Sequence, residues 1–172
     1  MTATALAPLR HLLKDTDLTV DVLDGLLESS AELKRLRRTG ARDALAGRVV
    51  AVLFEKPSTR TRSAFEVAAH ELGAHSTYID PASSHLGVAE SVEDTARVLG
   101  RYYDGIAFRG FAQESVETLA AHAGVPVWNA LTDTWHPTQA LADLLTIREH
   151  APQGRRAAVC FVGDGHDNVV NS

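Results

Sequence analysis

Residues 49–66, VVAVLFEKPSTRTRSAFE, decide the fold of this chain. The first six form an uninterrupted apolar run of strand length, rich in β-branched residues, which is typical of a parallel strand covered on both faces. Apolar residues then return at helical spacing from Ala64 to Leu72, and Gly73 provides a helix stop. The stretch therefore predicts a buried strand, a tight turn and the first turn of a helix.

The predicted turn concentrates hydroxyl and guanidinium groups, from Ser58, Thr59, Arg60, Thr61 and Arg62. A helix start carries unpaired backbone N–H groups and the positive end of the helix dipole, and both favour an anion such as phosphate. Either arginine would add a permanently charged, forked donor. Ser58 alone would be explained as a helix cap, but the lack of an acidic residue between Pro57 and Phe65 favours an anion site.

The strand-then-helix pattern recurs along the chain. Further strand-like runs occupy 75–79, 105–108 and 125–130, and helical patterns follow Thr19, Ser91 and Pro137 and surround Leu119. This alternation predicts an α/β fold, a parallel sheet of about four strands with helices on both faces in three layers. Residues 1–17 are expected to be a loose lead-in.

Three more candidate residues follow predicted strands. Arg109 ends the strand-like run 105–108, and His136 and Gln139 lie just after the run 125–130. Ligands of parallel sheets bind beyond the carboxyl ends of the strands, so these side chains and the 58–61 turn are expected to share one pocket. A lone His136 would usually be a capping or core residue, whereas a charge at the end of a buried strand, as at Arg109, needs a partner such as an anion.

The pattern changes near Pro152, where Pro152-Gln153-Gly154 indicates a linker. Beyond it, residues 157–162 have strand composition and enclose Cys160, which is expected to be a small core residue. The predicted organisation is a first domain over 1–152 and, over 153–172, the truncated start of a second α/β domain with one stub strand.

Composition narrows the class of function. The 172 residues carry 17 basic and 22 acidic side chains, a net charge of −5, without a basic run, which argues against a nucleic-acid partner. No signal-like or membrane-length apolar segment occurs, so a soluble cytoplasmic protein is expected. One cysteine and histidines without ligand spacing predict no metal site. The Gly163-Asp164-Gly165 run lacks the third glycine of a dinucleotide fingerprint, and no nucleotide phosphate loop is present.

Taken together, several motifs resemble one family. They are EKPSTRTRSAFE at 55–66, HLG at 85–87 with ES at 90–91, DTARVL at 94–99, RG at 109–110, WNALTD at 128–133 and HPTQALAD at 136–143. The set resembles the aspartate/ornithine transcarbamoylase family, and within it the ornithine enzymes. A catalytic lysine of the aspartate enzymes is missing at Val88-Ala89, and Gly163-Asp164-Gly165 followed by Asn168 also favours the ornithine branch.

The resemblance implies a role for each matching residue. Ser58, Thr59, Arg60 and Thr61 would hold the phosphate of carbamoyl phosphate. Arg109, His136 and Gln139 would contact its carbamoyl group, Arg109 also reaching the phosphate, and the catalytic set would be Arg60, Arg109, His136 and Gln139. Asn168 would contact ornithine, and His85 would enter the site of a neighbouring subunit in a homotrimer assembled through the amino-terminal domain. No metal or organic cofactor is implied.

The implied reaction is transfer of the carbamoyl group to the δ-amine of L-ornithine, giving L-citrulline and phosphate in arginine biosynthesis. The resemblance also implies that most ornithine contacts belong to a second domain that this sequence lacks, so the chain alone is expected to be poorly active or inactive. Two alternatives remain open. One is a non-catalytic module that binds carbamoyl phosphate or phosphate and trimerises, and the other is a transcarbamoylase for another amine such as aspartate.

Overall fold

A computed structural model describes residues 10–37, 43–80, 90–151, 157–163, 165 and 168–172. Helices and strands alternate from residue 20 to residue 150, after a short 3-10 helix at Asp15–Asp17. The helices are α1 (Val20–Leu36), α2 (Thr59–Glu71), α3 (Val92–Tyr102), α4 (Gln113–Ala123), α5 (Pro137–His150) and α6 (Asn168–Asn171). The strands are β1 (Val49–Phe54), β2 (His75–Ile79), β3 (Gly105–Arg109) and β4 (Val127–Leu131). No helix within these ranges is both long and apolar enough to cross a bilayer.

The four strands form one parallel sheet in the order β2-β1-β3-β4. β1 and β3 are the central strands, and five of the six residues of β1 are buried. A strand buried on both faces has no polar side to show, which is why its sequence is continuously apolar. The predicted parallel sheet of four strands is confirmed.

Helices cover both faces of the sheet. The connection through α2 leads from β1 to β2, whereas the connections through α3 and α4 run in the opposite direction, so right-handed crossovers place α2 opposite α3 and α4. A buried cluster that includes Leu53, Phe108 and Leu119 fills the α3–α4 side. On the other face α2 contacts β1 and β2, α5 contacts β4, and α1 packs on α5. The predicted α/β fold with helices on both faces is therefore confirmed.

Local signals also act where the sequence predicts them. The side-chain oxygens of Thr19, Ser58 and Ser91 accept the backbone N–H three residues later, so each caps the start of its helix. Pro137 occupies the first turn of α5, where its missing N–H costs nothing. Gly124 ends α4 with φ 72°, a left-handed conformation that glycine adopts without strain.

The stub strand predicted at residues 157–162 is wrong. Residues 157–163 have no regular structure and are exposed, and Cys160, which was expected in a core, is exposed as well. A strand exists only when its backbone pairs with a neighbour, and no strand edge in the described part of the chain pairs with this run. Strand composition without a partner leaves an irregular segment.

From residue 10 onward, the segment that was expected to be a loose lead-in is ordered. The Leu12 backbone pairs with β4 in parallel: its N–H donates to the Val127 carbonyl at 3.0 Å, and its carbonyl accepts the Asn129 N–H at 2.8 Å. The Leu12 side chain is buried. This short pairing covers the outer edge of β4, the strand that would otherwise present free backbone groups on that side.

Candidate active site

A cavity of about 710 Å³ opens at the carboxyl edge of the sheet. Its polar lining includes six residues that the sequence singled out, namely Ser58, Arg60, Thr61, Arg109, His136 and Gln139. They come from the turn after β1, the end of β3 and the start of α5, which are far apart in sequence. The parallel sheet brings these strand ends to one edge, so the predicted convergence is confirmed.

The cavity lies where the chain changes direction. β1 connects outward to β2 on one side, and β3 connects outward to β4 on the other, while β1 and β3 pair with each other. The loops leaving β1 and β3 therefore separate and leave a crevice between them. Open α/β sheets bind their ligands at such a point.

The turn after β1 presents hydroxyls at a helix start. Ser58 is the N-cap of α2, where its Oγ accepts the Thr61 N–H at 3.3 Å. The Ser58 hydroxyl also donates to Thr61 Oγ1 at 3.0 Å. The first turn of α2 contains no acidic residue, so its positive end faces the cavity without an opposing carboxylate of its own.

The structure distinguishes the two arginines of the turn. Arg60 lines the cavity. Arg62 instead lies 3.9 Å from the centre of the Tyr78 ring and donates to Glu66 at 2.9 Å, one turn along α2. Residues two positions apart in a helix, such as Arg60 and Arg62, are separated by roughly 200° around its axis, so their side chains cannot both face the same cavity. Arg60 is the arginine available to an anion, and Arg62 is a packing residue.

Arg109 adds a second positive charge to the cavity. Its Nη1 donates to Thr61 Oγ1 at 3.4 Å, and its Nε is buried with no hydrogen-bond partner among the described residues. Burial lowers the pKa of the Arg109 guanidinium, and the positive charge of Arg60 lowers it further. Two cations with an unused buried donor are costly until an anion occupies the space between them.

The end of β4 is strained where it lines the cavity. Leu131 has φ 157°, and the β3–β4 register shifts beside it so that Arg109 pairs with Leu131. Neighbours hold this backbone in place: the Leu131 N–H donates to Asn129 Oδ1 at 3.0 Å, and its carbonyl accepts the Gly110 N–H at 2.9 Å. Strain of this kind is found where a protein holds a functional loop in one geometry.

His136 and Gln139 project from the start of α5. His136 is buried at the N-cap position, and its Nδ1 lies 3.3 Å from the Thr138 hydroxyl. Gln139 is exposed on the next turn, where its Nε2 donates to Asp143 at 2.9 Å. Both groups can hydrogen bond to a ligand in the cavity and carry no net charge when His136 is neutral.

Two of the described site residues are not in the cavity lining, and a third predicted residue is not described. Thr59 is exposed outside it. Asn168 is not among the lining residues, and its amide donates to the Thr132 carbonyl. His85 lies outside the residues that the structure describes.

Sequence reasoning missed other parts of the site. Leu131, Phe65 and Val169 line the cavity, and Asp143 holds Gln139. The spacing of Gln139 and Asp143, four residues apart on one helix, was a readable signal. The strain at Leu131 had no signal, because it arises from pairing between two strands. Within the described ranges no group of three acidic, histidine or cysteine side chains is placed to hold a metal ion.

The rim of the cavity is held by two polar ties between loops. A Glu55 carboxylate oxygen accepts the Phe111 N–H at 3.0 Å, joining the loops after β1 and β3. Lys56 donates to Asp133 at 2.7 Å, joining the loops after β1 and β4, and it also lies 4.6 Å from the centre of the Phe111 ring. These contacts connect the three loops to one another.

Comparison with known proteins agrees with this geometry. The family described as "Aspartate/ornithine carbamoyltransferase, carbamoyl-P binding domain" matches residues 10–149. A relative from Bacillus cereus (strain ATCC 10987 / NRS 248), named "Ornithine carbamoyltransferase, catabolic", is 54% identical over 164 residues. The alignment covers 95% of this chain and 49% of the relative, so the chain spans about half the length of the curated relatives it matches. A relative from Bacillus thuringiensis subsp. konkukian (strain 97-27) has the same name and identity.

Solved structures give the same result. The crystal structure of ornithine carbamoyltransferase from Thermus thermophilus is 48% identical, with a TM-score of 0.77 over 84% of this chain and 49% of that chain. The enzyme of the same name from Burkholderia thailandensis E264 is 38% identical, with a TM-score of 0.79 over 83% of this chain and 50% of that chain. The resemblance read from the motifs is confirmed, and the chain belongs to the aspartate/ornithine carbamoyltransferase family of transferases.

Proposed function

We propose that this chain binds carbamoyl phosphate and supplies the carbamoyl-phosphate half of an ornithine carbamoyltransferase site. One observation carries the proposal: Arg60, Arg109 and the capped start of α2 converge on one cavity that also receives His136 and Gln139. The two arginines and the helix start suit a phosphate, and His136 and Gln139 suit an uncharged carbamoyl group. A ligand with both parts fits the whole arrangement.

The phosphate would lie at the start of α2. Backbone N–H groups of the first turn and the hydroxyls of Ser58, Thr59 and Thr61 would donate to its oxygens. Arg60 and Arg109 would balance its charge, and the buried Arg109 Nε would gain the acceptor it lacks. Thr59 would have to donate from the mouth of the cavity, since its side chain is exposed.

The carbamoyl group would lie toward α5, between Arg109, His136 and Gln139. These groups would orient it for attack by the neutral δ-amine of ornithine on the carbamoyl carbon. A C–N bond forms, a tetrahedral intermediate collapses, and the C–O bond to phosphate breaks, giving citrulline and phosphate. Charge develops on the carbonyl oxygen and the leaving phosphate, both of which Arg60, Arg109 and Thr61 would stabilise.

The second substrate would depend on residues outside the first domain. We propose residues 1–152 as the carbamoyl-phosphate domain and 153–172 as the start of an ornithine domain, in which Asn168 would contact ornithine. In support, the family match ends at residue 149, and the matched relatives are about twice as long. The chain alone is therefore proposed to bind its first substrate and to form little citrulline.

A second candidate function is a binding module without catalysis. It is favoured by the amide of Asn168, which already donates to the Thr132 carbonyl instead of facing the cavity. Aspartate as the acceptor has less support, because the named relatives and solved structures quoted above are ornithine carbamoyltransferases.

Assembly, location and metabolic role are proposed from the resemblance. We propose a cytoplasmic homotrimer formed through the amino-terminal domain, in which His85 completes a neighbouring site. Sedimentation equilibrium of the purified chain would test the trimer. The resemblance implies arginine biosynthesis, whereas the Bacillus relatives are named catabolic. Comparing citrulline formation with the phosphate-dependent cleavage of citrulline, in a preparation that turns over, would distinguish the two roles.

Isothermal titration calorimetry with carbamoyl phosphate tests the proposal directly. We expect binding by the parent chain and at least about thirtyfold weaker binding by Arg60→Ala, because the variant leaves a phosphate charge without its partner. Arg62→Ala is the matched control and should bind like the parent, since Arg62 faces Tyr78. A citrulline assay with ornithine on the same samples separates enzyme from binding module. Absence of binding by the parent would refute the site.

A further inference from the structure

The turn that carries His136 is organised by its own polar groups and by a distant segment. Within the turn, Thr132 Oγ1 accepts the N–H groups of Thr134 and Trp135 at 3.3 and 3.1 Å, and the Thr132 N–H donates to the Trp135 carbonyl at 2.9 Å. These bonds close residues 132–135 into a compact turn. They do not involve the backbone N–H of His136.

Three other backbone groups of the turn pair with residues 168–172, here named the carboxyl-terminal clasp. The Asn168 amide donates to the Thr132 carbonyl, and the Asn171 amide donates to the Thr134 carbonyl at 3.1 Å. The His136 N–H donates to the Ser172 hydroxyl at 2.7 Å. The clasp therefore contacts every second residue of the turn, ending on the residue that lines the cavity.

The backbone of His136 needs such support. It has φ −139° and ψ 61°, outside both the extended and the helical regions, and its side chain makes no capping bond to α5. The position of the His136 imidazole in the cavity depends on this backbone conformation, because the side chain is attached to it. A side chain that must orient a substrate has to be held to within a fraction of an ångström.

We propose that Ser172 is a positioning residue for His136. Its hydroxyl fixes the His136 backbone and thereby keeps the imidazole directed into the cavity in which carbamoyl phosphate is proposed to bind. The expected effect on carbamoyl-phosphate affinity rests on the proposed function. The hydrogen bond that holds the His136 backbone does not depend on it.

The test uses the chain with Ser172→Ala, Ser172→Thr and, as a matched control, Ser29→Ala on the exposed side of α1. Amide hydrogen exchange of His136 is measured by NMR, and the Kd for carbamoyl phosphate by calorimetry. Ser172→Ala should speed His136 exchange and raise the Kd, each by about tenfold, as expected for one lost hydrogen bond, while exchange in β1 and β3 stays unchanged. Ser172→Thr, which keeps the hydroxyl, should restore both values, and Ser29→Ala should alter neither.

Other outcomes would overturn the proposal. Unchanged exchange at His136 in Ser172→Ala would show that the hydroxyl does not hold this backbone, and equal acceleration throughout the sheet would show a general loss of stability. Faster exchange at His136 with an unchanged Kd would remove the functional role. If the parent binds no carbamoyl phosphate, the proposed function fails, while the exchange measurement still decides the contact. Ser172→Gly, which also removes the hydroxyl, should act in the same direction and serves if Ser172→Ala does not fold.

Discussion

Arg109 and Thr61 are joined across the cavity by a hydrogen bond of 3.4 Å from the guanidinium Nη1 to the hydroxyl oxygen. Arg109 ends the central strand β3, and Thr61 lies in the first turn of α2. This contact is long and bonds a charge to a neutral group, so it satisfies the guanidinium poorly. The arrangement holds Arg109 for a ligand at a cost to the unoccupied protein.

We therefore predict opposite effects of Arg109→Met on affinity and stability. The variant should bind carbamoyl phosphate at least about thirtyfold more weakly, because the anion loses a charged partner. In the absence of ligand its free energy of unfolding should rise by about 1 kcal/mol, since a partly buried cation next to Arg60 has been removed. Calorimetry and urea denaturation measure the two quantities. Arg62→Met is the control for affinity, and a loss of stability in Arg109→Met would show that Arg109 is a structural tie.

Gly100 marks the closest approach of α3 and α4. A Cβ at this position would lie 1.8 Å from the Ala123 carbonyl oxygen, which belongs to the backbone and cannot rotate away. Gly100→Ala should therefore lower the free energy of unfolding by about 1–3 kcal/mol, although alanine favours helices. Urea denaturation checks this, with Arg101→Ala on the exposed side of α3 as the control expected to remain within about 0.5 kcal/mol of the parent.

His11 predicts a loss of stability in mildly acidic solution. Its Nδ1 accepts the Val127 N–H at 3.2 Å, and burial, followed by the charge of Arg10, lowers its pKa from the usual 6.5. The unfolded chain takes up this proton first, so the stabilisation is complete above pH 6.5 and is lost as the pH falls toward the lower, folded pKa. Urea denaturation between pH 7.5 and pH 5.5 should show a smaller decline for His11→Asn than for the parent. Equal declines would contradict the assignment, and His122→Asn, at an exposed position of α4, is the control.

Asp15 is expected to change stability with pH in the opposite direction, lowering it as the pH rises. Burial is the main cause that raises its pKa above 3.8, and the nearby charge of Asp17 adds to it, while the Ser172 hydrogen bond opposes the shift. Ionisation therefore opposes folding: the penalty is absent below pH 3.8 and grows as the pH rises through the folded pKa. Asp15→Asn removes the charge, so its free energy of unfolding should rise by up to about 1 kcal/mol at pH 7, with no rise near pH 3. A gain of the same size at both pH values would refute the electrostatic cause.

Features set by neighbouring residues could be predicted from the sequence. The apolar run 49–54, the Ser58 cap and the Pro137 helix start follow from periodicity and local hydrogen bonding, and each appears where predicted. Convergence of Arg109 and His136 on one cavity also followed, because parallel strands place their carboxyl ends on one edge.

Features that depend on distant pairing could not be predicted. The choice of Arg60 over Arg62 depends on the rotation of α2 against Tyr78, and the strain at Leu131 depends on the shifted β3–β4 register. The strand predicted at residues 157–162 is absent for the same reason, because a segment of strand composition forms a strand only beside another strand edge. Local sequence gives a propensity, and the surrounding fold decides whether the strand forms.

The pairing of Leu12 with β4 also joins two distant parts of the chain. It joins residues 12 and 127, so it closes a loop that contains most of the protein. The Asn129 amide that supports Leu131 also donates to the Leu13 carbonyl at 2.8 Å, next to this pairing. One wall of the cavity therefore depends on contacts between segments that are distant in sequence, whereas the β1–α2–β2 unit is built from neighbouring segments.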